Sequence, residues 1–327
     1  MRIAVIGEGM LELSRDATAD DRWRLGYGGD TLNTAIHLAR LGFDVTFITA
    51  LGTDRFSERL RSDWRAEGLD LDHVLTDPDR VPGLYAIDTA ADGERSFSYW
   101  RSDSAARALF SLDGIEDALR AAAHSDLLYF SLITLAVLPD AARTRLYQLG
   151  VTVQANGGRV AFDSNFRPQL WANLESLRTA AALAGTVADI ALPTITDEQA
   201  LDHGDDPQTI ADHWHRFGVR EVVVKLGAEG CFVSILNGER LQVPAAEGLN
   251  VVDTSGAGDA FNAGYLGTRL SGGPHQLAAR KGAELAAWVI QQPGAIPPAD
   301  AAAPYATILA QARHNPGRAC SGEVERR

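Results

Sequence analysis

Residues 251–264 read Val-Val-Asp-Thr-Ser-Gly-Ala-Gly-Asp-Ala-Phe-Asn-Ala-Gly, where a short apolar run ends and a helix-like segment begins. A chain that turns from a strand into a helix leaves its first N–H groups unpaired, beside the positive end of the helix dipole. Gly256 and Gly258 would let this backbone approach a phosphate closely. The following carboxylate, Asp259, could simply favour an ordinary capped helix. Alternatively, it could take a proton from a hydroxyl that attacks a phosphate held by those amides.

A second glycine-rich turn precedes a predicted helix near the N-terminus, where residues 26–35 read Gly-Tyr-Gly-Gly-Asp-Thr-Leu-Asn-Thr-Ala. Gly28 and Gly29 again allow close backbone approach, and Asp30 and Asn33 project from the first helical turn. These two polar side chains could cap the helix, which is a common role. They could also form hydrogen bonds to several hydroxyls of a sugar.

The two stretches together resemble the signatures of the PfkB, or ribokinase-like, family of sugar kinases. The C-terminal signature is matched by Asp-Thr-x-Gly-Ala-Gly-Asp at 253–259 and the N-terminal one by Gly-Gly-x-x-x-Asn-x-Ala at 28–35. They occur in the family's order, more than two hundred residues apart, and the resemblance covers residues 3 to about 297. It implies that the amides of Gly256, Ala257 and Gly258 form an anion hole, that Asp259 is the base, and that ATP is the phosphate donor.

Length and composition fit one large α/β domain with a small accessory piece. The 327 residues are 46% hydrophobic, enough for a sizeable core, and the net charge of −13 argues against a nucleic-acid binder with a basic surface. Two distant cysteines, Cys231 and Cys320, form no disulfide or metal pattern. Residues 1–7 are typical of a strand rather than a signal peptide, and no stretch approaches a membrane span. We therefore expect a cytoplasmic protein with no membrane or nucleic-acid partner.

Alternating helices and strands predict a doubly wound, mostly parallel α/β sheet with helices on both faces. The predicted helices are 30–41, 55–67, 118–123, 140–154, 176–184, 209–217 and 274–291, and the predicted strands are 3–6, 45–51, 127–131, 160–163, 187–192 and 221–225, with antiparallel edge strands at 230–235 and 240–243. Residues 83–101 alternate instead and turn at Ala91-Asp92-Gly93, which predicts a hairpin outside the main sheet.

These patterns predict a kinase domain over residues 1–297 that carries a small β-sheet lid. The lid would consist of segments at about 8–26 and 81–101. Residues 298–327 are predicted to be a tail, the last dozen of them poorly ordered. A small sheet that is open on one side exposes an apolar face to solvent. We therefore expect the lids of two subunits to pair and cover this face in a dimer or larger assembly.

Further segments resemble the family members that phosphorylate 2-keto-3-deoxygluconate, namely 82–85, 93–97, 99–101 and 163–171. That resemblance implies a substrate site lined by Gly28, Gly29, Asp30, Asn33, Tyr85, Tyr99, Arg101 and Arg167. It implies a nucleotide site that includes Asn165, Arg167, Lys225, Gly227, Gly230, Gly256 and Gly258. Packing in the hairpin is the alternative role for the two tyrosines, and a surface ion pair is the alternative for Arg167. Arg101 and Arg167 matter as a pair, because a sugar acid needs a cationic partner.

The chain departs from the family where many members carry Asn-x-x-Glu, a motif that helps to order phosphate and Mg²⁺ through water. Residues 192–198 here read Leu-Pro-Thr-Ile-Thr-Asp-Glu. Either Thr194 with Asp197, or Glu198 alone, could replace that motif.

Three functions remain open from the sequence. The resemblance favours ATP-dependent phosphorylation of the terminal primary hydroxyl of 2-keto-3-deoxygluconate. The same chemistry on a neutral sugar such as ribose or fructose is the first alternative. A non-catalytic sugar or nucleotide sensor is the second, and the intact Asp259 counts against it.

Overall fold

The computed structural model describes residues 1–15, 22–89, 95–300 and 302–314. The strands are β1 (Arg2–Ile6), β2 (Met10–Arg15), β3 (Trp23–Gly28), β4 (Asp44–Leu51), β5 (Val74–Thr76), β6 (Leu84–Thr89), β7 (Arg95–Trp100), β8 (Leu127–Ser131), β9 (Arg159–Asp163), β10 (Ile190–Ala191), β11 (Glu221–Lys225), β12 (Cys231–Ile235) and β13 (Arg240–Val243). The helices are α1 (Asp30–Arg40), α2 (Arg55–Ala66), α3 (Ile115–Ala122), α4 (Leu132–Val137), α5 (Asp140–Ala155), α6 (Leu174–Val187), α7 (Ile195–Ala200), α8 (Pro207–His215), α9 (Ala257–Leu270), α10 (His275–Val289) and α11 (Tyr305–His314).

Nine of the described strands form one sheet in the order β13-β12-β11-β10-β9-β8-β1-β4-β5. All neighbours from β11 to β5 are parallel, and β12 and β13 extend the sheet antiparallel at one edge. The predicted doubly wound, mostly parallel sheet is therefore confirmed. The strand order reverses between β1 and β8, and ligands of open α/β sheets bind beyond the carboxyl ends of the strands at such a reversal.

Helices cover both faces of this sheet, because its central strands are apolar on both sides. In β1, Ile3 and Val5 point into one core and Ala4 and Ile6 into the other, all almost fully buried. The first core is completed by α1, α2, α9 and α10, and the second by α3, α5, α6 and α8. Burying one such aliphatic side chain contributes about 1.5–3 kcal/mol to the free energy of unfolding. The two cores therefore hold the strands firmly in place, and with them the carboxyl edge of the sheet.

The remaining four described strands form a separate sheet in the order β3-β2-β6-β7, which confirms the predicted small second sheet, called the lid below. Tyr85 pairs with Tyr99, and Ile87 with Phe97, so these four side chains share one face. A Cβ on Gly28 would lie 2.2 Å from the Tyr85 hydroxyl, so the hairpin packs directly against the first glycine turn. The predicted turn at Ala91-Asp92-Gly93 lies outside the described residues.

Two predicted boundaries differ from the structure. The predicted strand at 187–192 is reduced to β10, because α6 continues to Val187, whose side chain packs against Gly150. The predicted tail at 298–327 begins with a packed element, since Tyr305 and Ile308 of α11 are buried in the first core. The final dozen residues, predicted to be poorly ordered, lie outside the described residues. Within the described ranges, no helix has the length and apolar character needed to cross a membrane.

Candidate active site

A cleft of about 540 Å³ lies between the carboxyl edge of the main sheet and the lid. It is lined by most of the residues singled out from the sequence: Gly29, Asp30, Asn33, Tyr85, Tyr99, Arg101, Asn165, Arg167, Asp197, Lys225, Gly256, Ala257, Gly258 and Asp259. The fold thus brings the two glycine-rich turns, the hairpin and the ends of β9 and β11 into one site. Gly28, Gly227, Gly230 and Glu198 do not line it.

Asp259 lies in the first turn of α9 and is only 8% exposed. Its Oδ2 accepts a hydrogen bond of 2.8 Å from the Asn33 side-chain amide of α1. The two signature motifs therefore meet directly, although they are 226 residues apart. The amide orients the carboxylate without neutralising it.

The pKa of Asp259 is raised from 3.8 to about 8, chiefly by burial and also by the nearby carboxylates of Asp30 and Asp163. The Asn33 hydrogen bond and the Lys225 charge act in the opposite direction. A general base is most effective when its pKa lies near the working pH, so this shift suits proton abstraction.

The turn before α9 has the form predicted for an anion site. Gly256 is the N-cap residue, and its φ of 70° lies in the left-handed region that favours glycine. No side chain caps the helix, and the Ala257 amide closes a turn onto the Thr254 carbonyl at 3.3 Å. The other N-terminal amides have no helical acceptor and adjoin the cleft, so the turn can accept a negatively charged group.

A buried polar network supports the floor of the cleft. Lys225 Nζ donates to Asp163 Oδ1 at 3.0 Å and to Asn262 Oδ1 at 3.2 Å, and Asn262 Nδ2 donates to Asp163 Oδ2 at 2.9 Å. Asn165 Nδ2 reaches Asp30 Oδ2 at 3.3 Å. Lys225 thus compensates Asp163 directly. The hydrogen bonds to Asp30 and Asp259 come from neutral groups, namely Asn165 and Ser131 for Asp30 and Asn33 for Asp259.

The two arginines predicted to hold a carboxylate have different surroundings. Arg101 is buried and donates through Nε and Nη2 to Glu8 Oε2, so its charge is already paired. Arg167 is partly exposed and donates to the Phe166 carbonyl at 2.7 Å. In the described part of the chain, Arg167 has no ion-pair partner. An incoming carboxylate would therefore meet less competition at Arg167.

The structure also separates the two alternatives for ordering a metal ion. Thr194 and Asp197 line the cleft, and Asp197 Oδ2 accepts from the Phe166 amide at 3.0 Å. Glu198 points away from the cleft, is fully buried and pairs with His203 Nδ1 at 2.7 Å. Geometry thus favours Thr194 with Asp197 over Glu198.

Several residues that line the cleft or support its lining were missed from the sequence. Glu12 accepts from the Tyr85 hydroxyl on the inner face of the lid, and Asp163 ends β9. Glu8 holds Arg101, and Ala295 contacts the turn at Gly256. The position of Asp163 at the carboxyl end of a buried strand was a usable signal. Nothing local in the sequence marks Glu8 or Ala295.

Comparison with known proteins identifies the family. Residues 1–302 match the model of the pfkB family carbohydrate kinases. A 2-dehydro-3-deoxygluconokinase of Dickeya dadantii is 44% identical over 91% of this chain and 97% of its own length, and that of Escherichia coli K12 is 42% identical over 92% and 98%. A crystal structure of aminoimidazole riboside kinase from Salmonella enterica, complexed with aminoimidazole riboside and an ATP analog, superposes with a TM-score of 0.78 at 25% identity over 94% of this chain and 100% of that one. The chain therefore belongs to the pfkB family of carbohydrate kinases.

Proposed function

We propose that the protein transfers the γ-phosphate of ATP to the terminal primary hydroxyl of 2-keto-3-deoxygluconate, also called 2-dehydro-3-deoxygluconate. The product would be 2-keto-3-deoxy-6-phosphogluconate. The observation that best supports this proposal is the position of Asp259. Its carboxyl group has a raised pKa and lies beside the uncapped N-terminus of α9, in the cleft under the lid. The names of the relatives in Dickeya and Escherichia support this substrate.

In this mechanism, Asp259 accepts the proton of the attacking hydroxyl while the amides at Gly256, Ala257 and Gly258 hold the transferring phosphate. Asn33 keeps the carboxylate aimed at the hydroxyl through its hydrogen bond. Positioning and charge stabilisation supply most of the catalysis in phosphoryl transfer, so this chain's main task is to hold both groups in line. A lid that covers the sugar would also exclude water.

Mg²⁺ is the ion that kinases of this kind would carry with the nucleotide, where it neutralises charge on the phosphates. Such an ion is typically held by one or two carboxylates, water and substrate phosphates. Asp197 and Thr194 offer the hard oxygen atoms this requires, and the described residues contain no larger cluster of metal ligands. We assign these two residues to ordering that ion through water.

The acid end of the sugar would meet Arg167, assisted by Arg101. Arg167 lines the cleft and forms no salt bridge with the residues that the structure describes, and the Nη1 group of Arg101 is not used in its contact with Glu8. Tyr85 and Tyr99 line the lid side, where their hydroxyls can reach the sugar. Gly29, Asp30 and Asn33 would bind its hydroxyls.

The nucleotide would lie along the ends of β9 and β11. Asn165, Arg167 and Lys225 border this part of the cleft. Gly227 begins the short 3-10 turn after β11 and Gly230 follows it, and neither glycine lines the cleft. We therefore keep them as contacts to the distal part of ATP.

The outer lid surface supports a homodimer formed through the lids. Trp100 and Trp23 are 59% and 45% exposed, and both lie on open strands at the edges of the small sheet. Exposed edge strands with large aromatic side chains are readily covered by a second copy.

A substrate panel tests the proposed function. Purified protein with ATP and Mg²⁺ should phosphorylate 2-keto-3-deoxygluconate far better than ribose or fructose, as measured by coupled ADP release. Preference for a neutral sugar would refute the substrate but keep the chemistry. Binding of sugar and ATP without turnover would indicate the non-catalytic sensor.

A further inference from the structure

The loop that follows α10 forms the wall behind the proposed anion site. A Cβ on Gly256 would lie 2.6 Å from Ala295 Cβ and 3.1 Å from the Ala295 carbonyl oxygen. Ala295 also lines the cleft. The position of the Gly256 turn therefore depends on where this loop holds Ala295.

A buried histidine of α1 holds that carbonyl. His37 Nε2 lies 3.2 Å from the Ala295 oxygen, and His37 Nδ1 lies 2.8 Å from the Tyr305 hydroxyl. A carbonyl can only accept, so Nε2 carries the hydrogen and Nδ1 accepts from Tyr305. Burial lowers the pKa of His37 to about 3, which keeps the ring neutral with one hydrogen, as this arrangement requires.

The same loop is held a second time by Arg40, one helical turn further along α1. Arg40 Nη1 donates to the Pro297 carbonyl at 2.7 Å and to the Tyr305 hydroxyl at 3.3 Å. Its Nε and Nη2 groups bind Glu67 at 2.7 and 2.9 Å, which fixes the guanidinium. The backbone carbonyls of Ala295 and Pro297 are thus both hydrogen-bonded to side chains of α1. The Tyr305 hydroxyl of α11 is hydrogen-bonded to both of those side chains.

We propose that His37 and Tyr305 are positioning residues for phosphoryl transfer. Through the Ala295 carbonyl they hold the loop against Gly256 and so fix the amides that receive the transferring phosphate. This inference rests on the proposed function. It gives α11 a role in catalysis although no residue of that helix lines the cleft in the described structure. Misplacement of reacting groups by about 1 Å can lower a rate about 10²-fold, so loss of this tie should be visible in kcat.

Tyr305→Phe is the primary test, because it removes only the hydroxyl and keeps the ring against Trp288, 5.7 Å away. We expect kcat to fall at least about 10-fold while the KM for the sugar stays within about 2-fold of the parent. The matched control is Tyr147→Phe, which removes another partly buried tyrosine hydroxyl that donates to the Ala180 carbonyl at 3.2 Å between α5 and α6. Its kinetics should equal those of the parent.

Two substitutions of His37 distinguish a positioning role in catalysis from a purely structural role. His37→Leu removes both hydrogen bonds, whereas His37→Gln presents a side-chain amide that can still donate to Ala295. We expect His37→Gln to recover most of the kcat that His37→Leu loses. Equal kcat in the parent, Tyr305→Phe and the His37 variants would overturn the proposal. The proposal would also be overturned if the loss of kcat in each variant matched its drop in melting temperature and Tyr147→Phe lost kcat to the same extent.

A readout independent of turnover completes the experiment. Hydrogen exchange by mass spectrometry should show faster exchange of the peptide over residues 251–260 in Tyr305→Phe, and no change there in Tyr147→Phe. Unchanged exchange would overturn the inference even if the parent is an active kinase. A parent without kinase activity whose peptide responds as expected would instead overturn the proposed function and leave the positioning intact.

Discussion

Replacement of Asp259 by Asn should remove the proposed base and leave the shape of the cleft unchanged. Asn33 Nδ2 donates to Asp259 Oδ2 at 2.8 Å, and an amide oxygen at the same position can accept that bond. A positioned general base contributes about 10²–10⁴-fold in rate. We therefore expect kcat of Asp259→Asn to fall at least about 10²-fold, with the KM for the sugar within about 3-fold of the parent.

The same substitution should stabilise the fold. The pKa of Asp259 rises from 3.8 to about 8 on folding, so between these values the folded chain keeps a proton that the unfolded chain has released. Parent stability then falls as pH rises through this window, by about 1.4 kcal/mol per pH unit. The amide variant does not titrate and escapes this loss. Between about pH 4 and pH 7 its advantage should grow by at most about 4 kcal/mol.

Urea unfolding of parent and variant at several pH values between 4 and 7 measures this advantage, and a coupled ADP assay measures kcat. Asp117→Asn serves as control, because its carboxylate is exposed on α3 and forms a salt bridge with Arg120 across one helical turn. Activity of Asp259→Asn within a few-fold of the parent would refute the base. A difference in unfolding free energy that does not change with pH would refute the burial argument.

Further predictions follow from the charges and the lid. The kcat/KM of the parent should rise with pH and level off above about 8, as Asp259 loses its proton in the free enzyme; a flat profile from pH 6 to 9 would contradict this. Arg167→Ala should raise the KM for the sugar acid about 10- to 150-fold and that for a neutral sugar less, since a charge-assisted hydrogen bond contributes about 1.5–3 kcal/mol. Arg101→Ala should lower the unfolding free energy by about 3–5 kcal/mol, because Glu8 is left buried and unpaired; an unchanged urea midpoint would count against this. Trp100→Glu should shift a micromolar dimer to monomer in sedimentation, and a parent that is already monomeric would exclude the lid dimer.

The main sheet could be predicted because its signals are local. Continuous apolar runs such as that of β1 and helical spacing such as that of α1 identify elements without knowledge of their neighbours. The boundary between α6 and β10 could not be predicted. Gly185 indicates the end of a helix, and the predicted helix stops at 184, but α6 continues through Gly185 to Val187. Tertiary packing of Val187 against Gly150 decides it.

The site was predictable where it depends on backbone turns and not where it depends on distant pairs. The Gly256 turn and Asn33 are visible as motifs, and the structure brings them to one cleft. The partner of Arg101 lies 93 residues away, and the contact of His37 with Tyr305 spans 268 residues. Such pairs exist only after folding, so a single sequence indicates the charged residue but not whether its charge is available.

Two buried aspartates of the cleft, Asp163 and Asp259, show how neighbouring carboxylates can have different roles. Asp163 is compensated by the ammonium group of Lys225 and by Asn262, so it supports the floor of the cleft. Asp259 receives one neutral amide and lies close to Asp30 and Asp163, whose charges oppose its ionisation. Lys225 donates to Asp163 rather than to Asp259, and Asp259 keeps a pKa of about 8, which suits a group that accepts a proton near neutral pH.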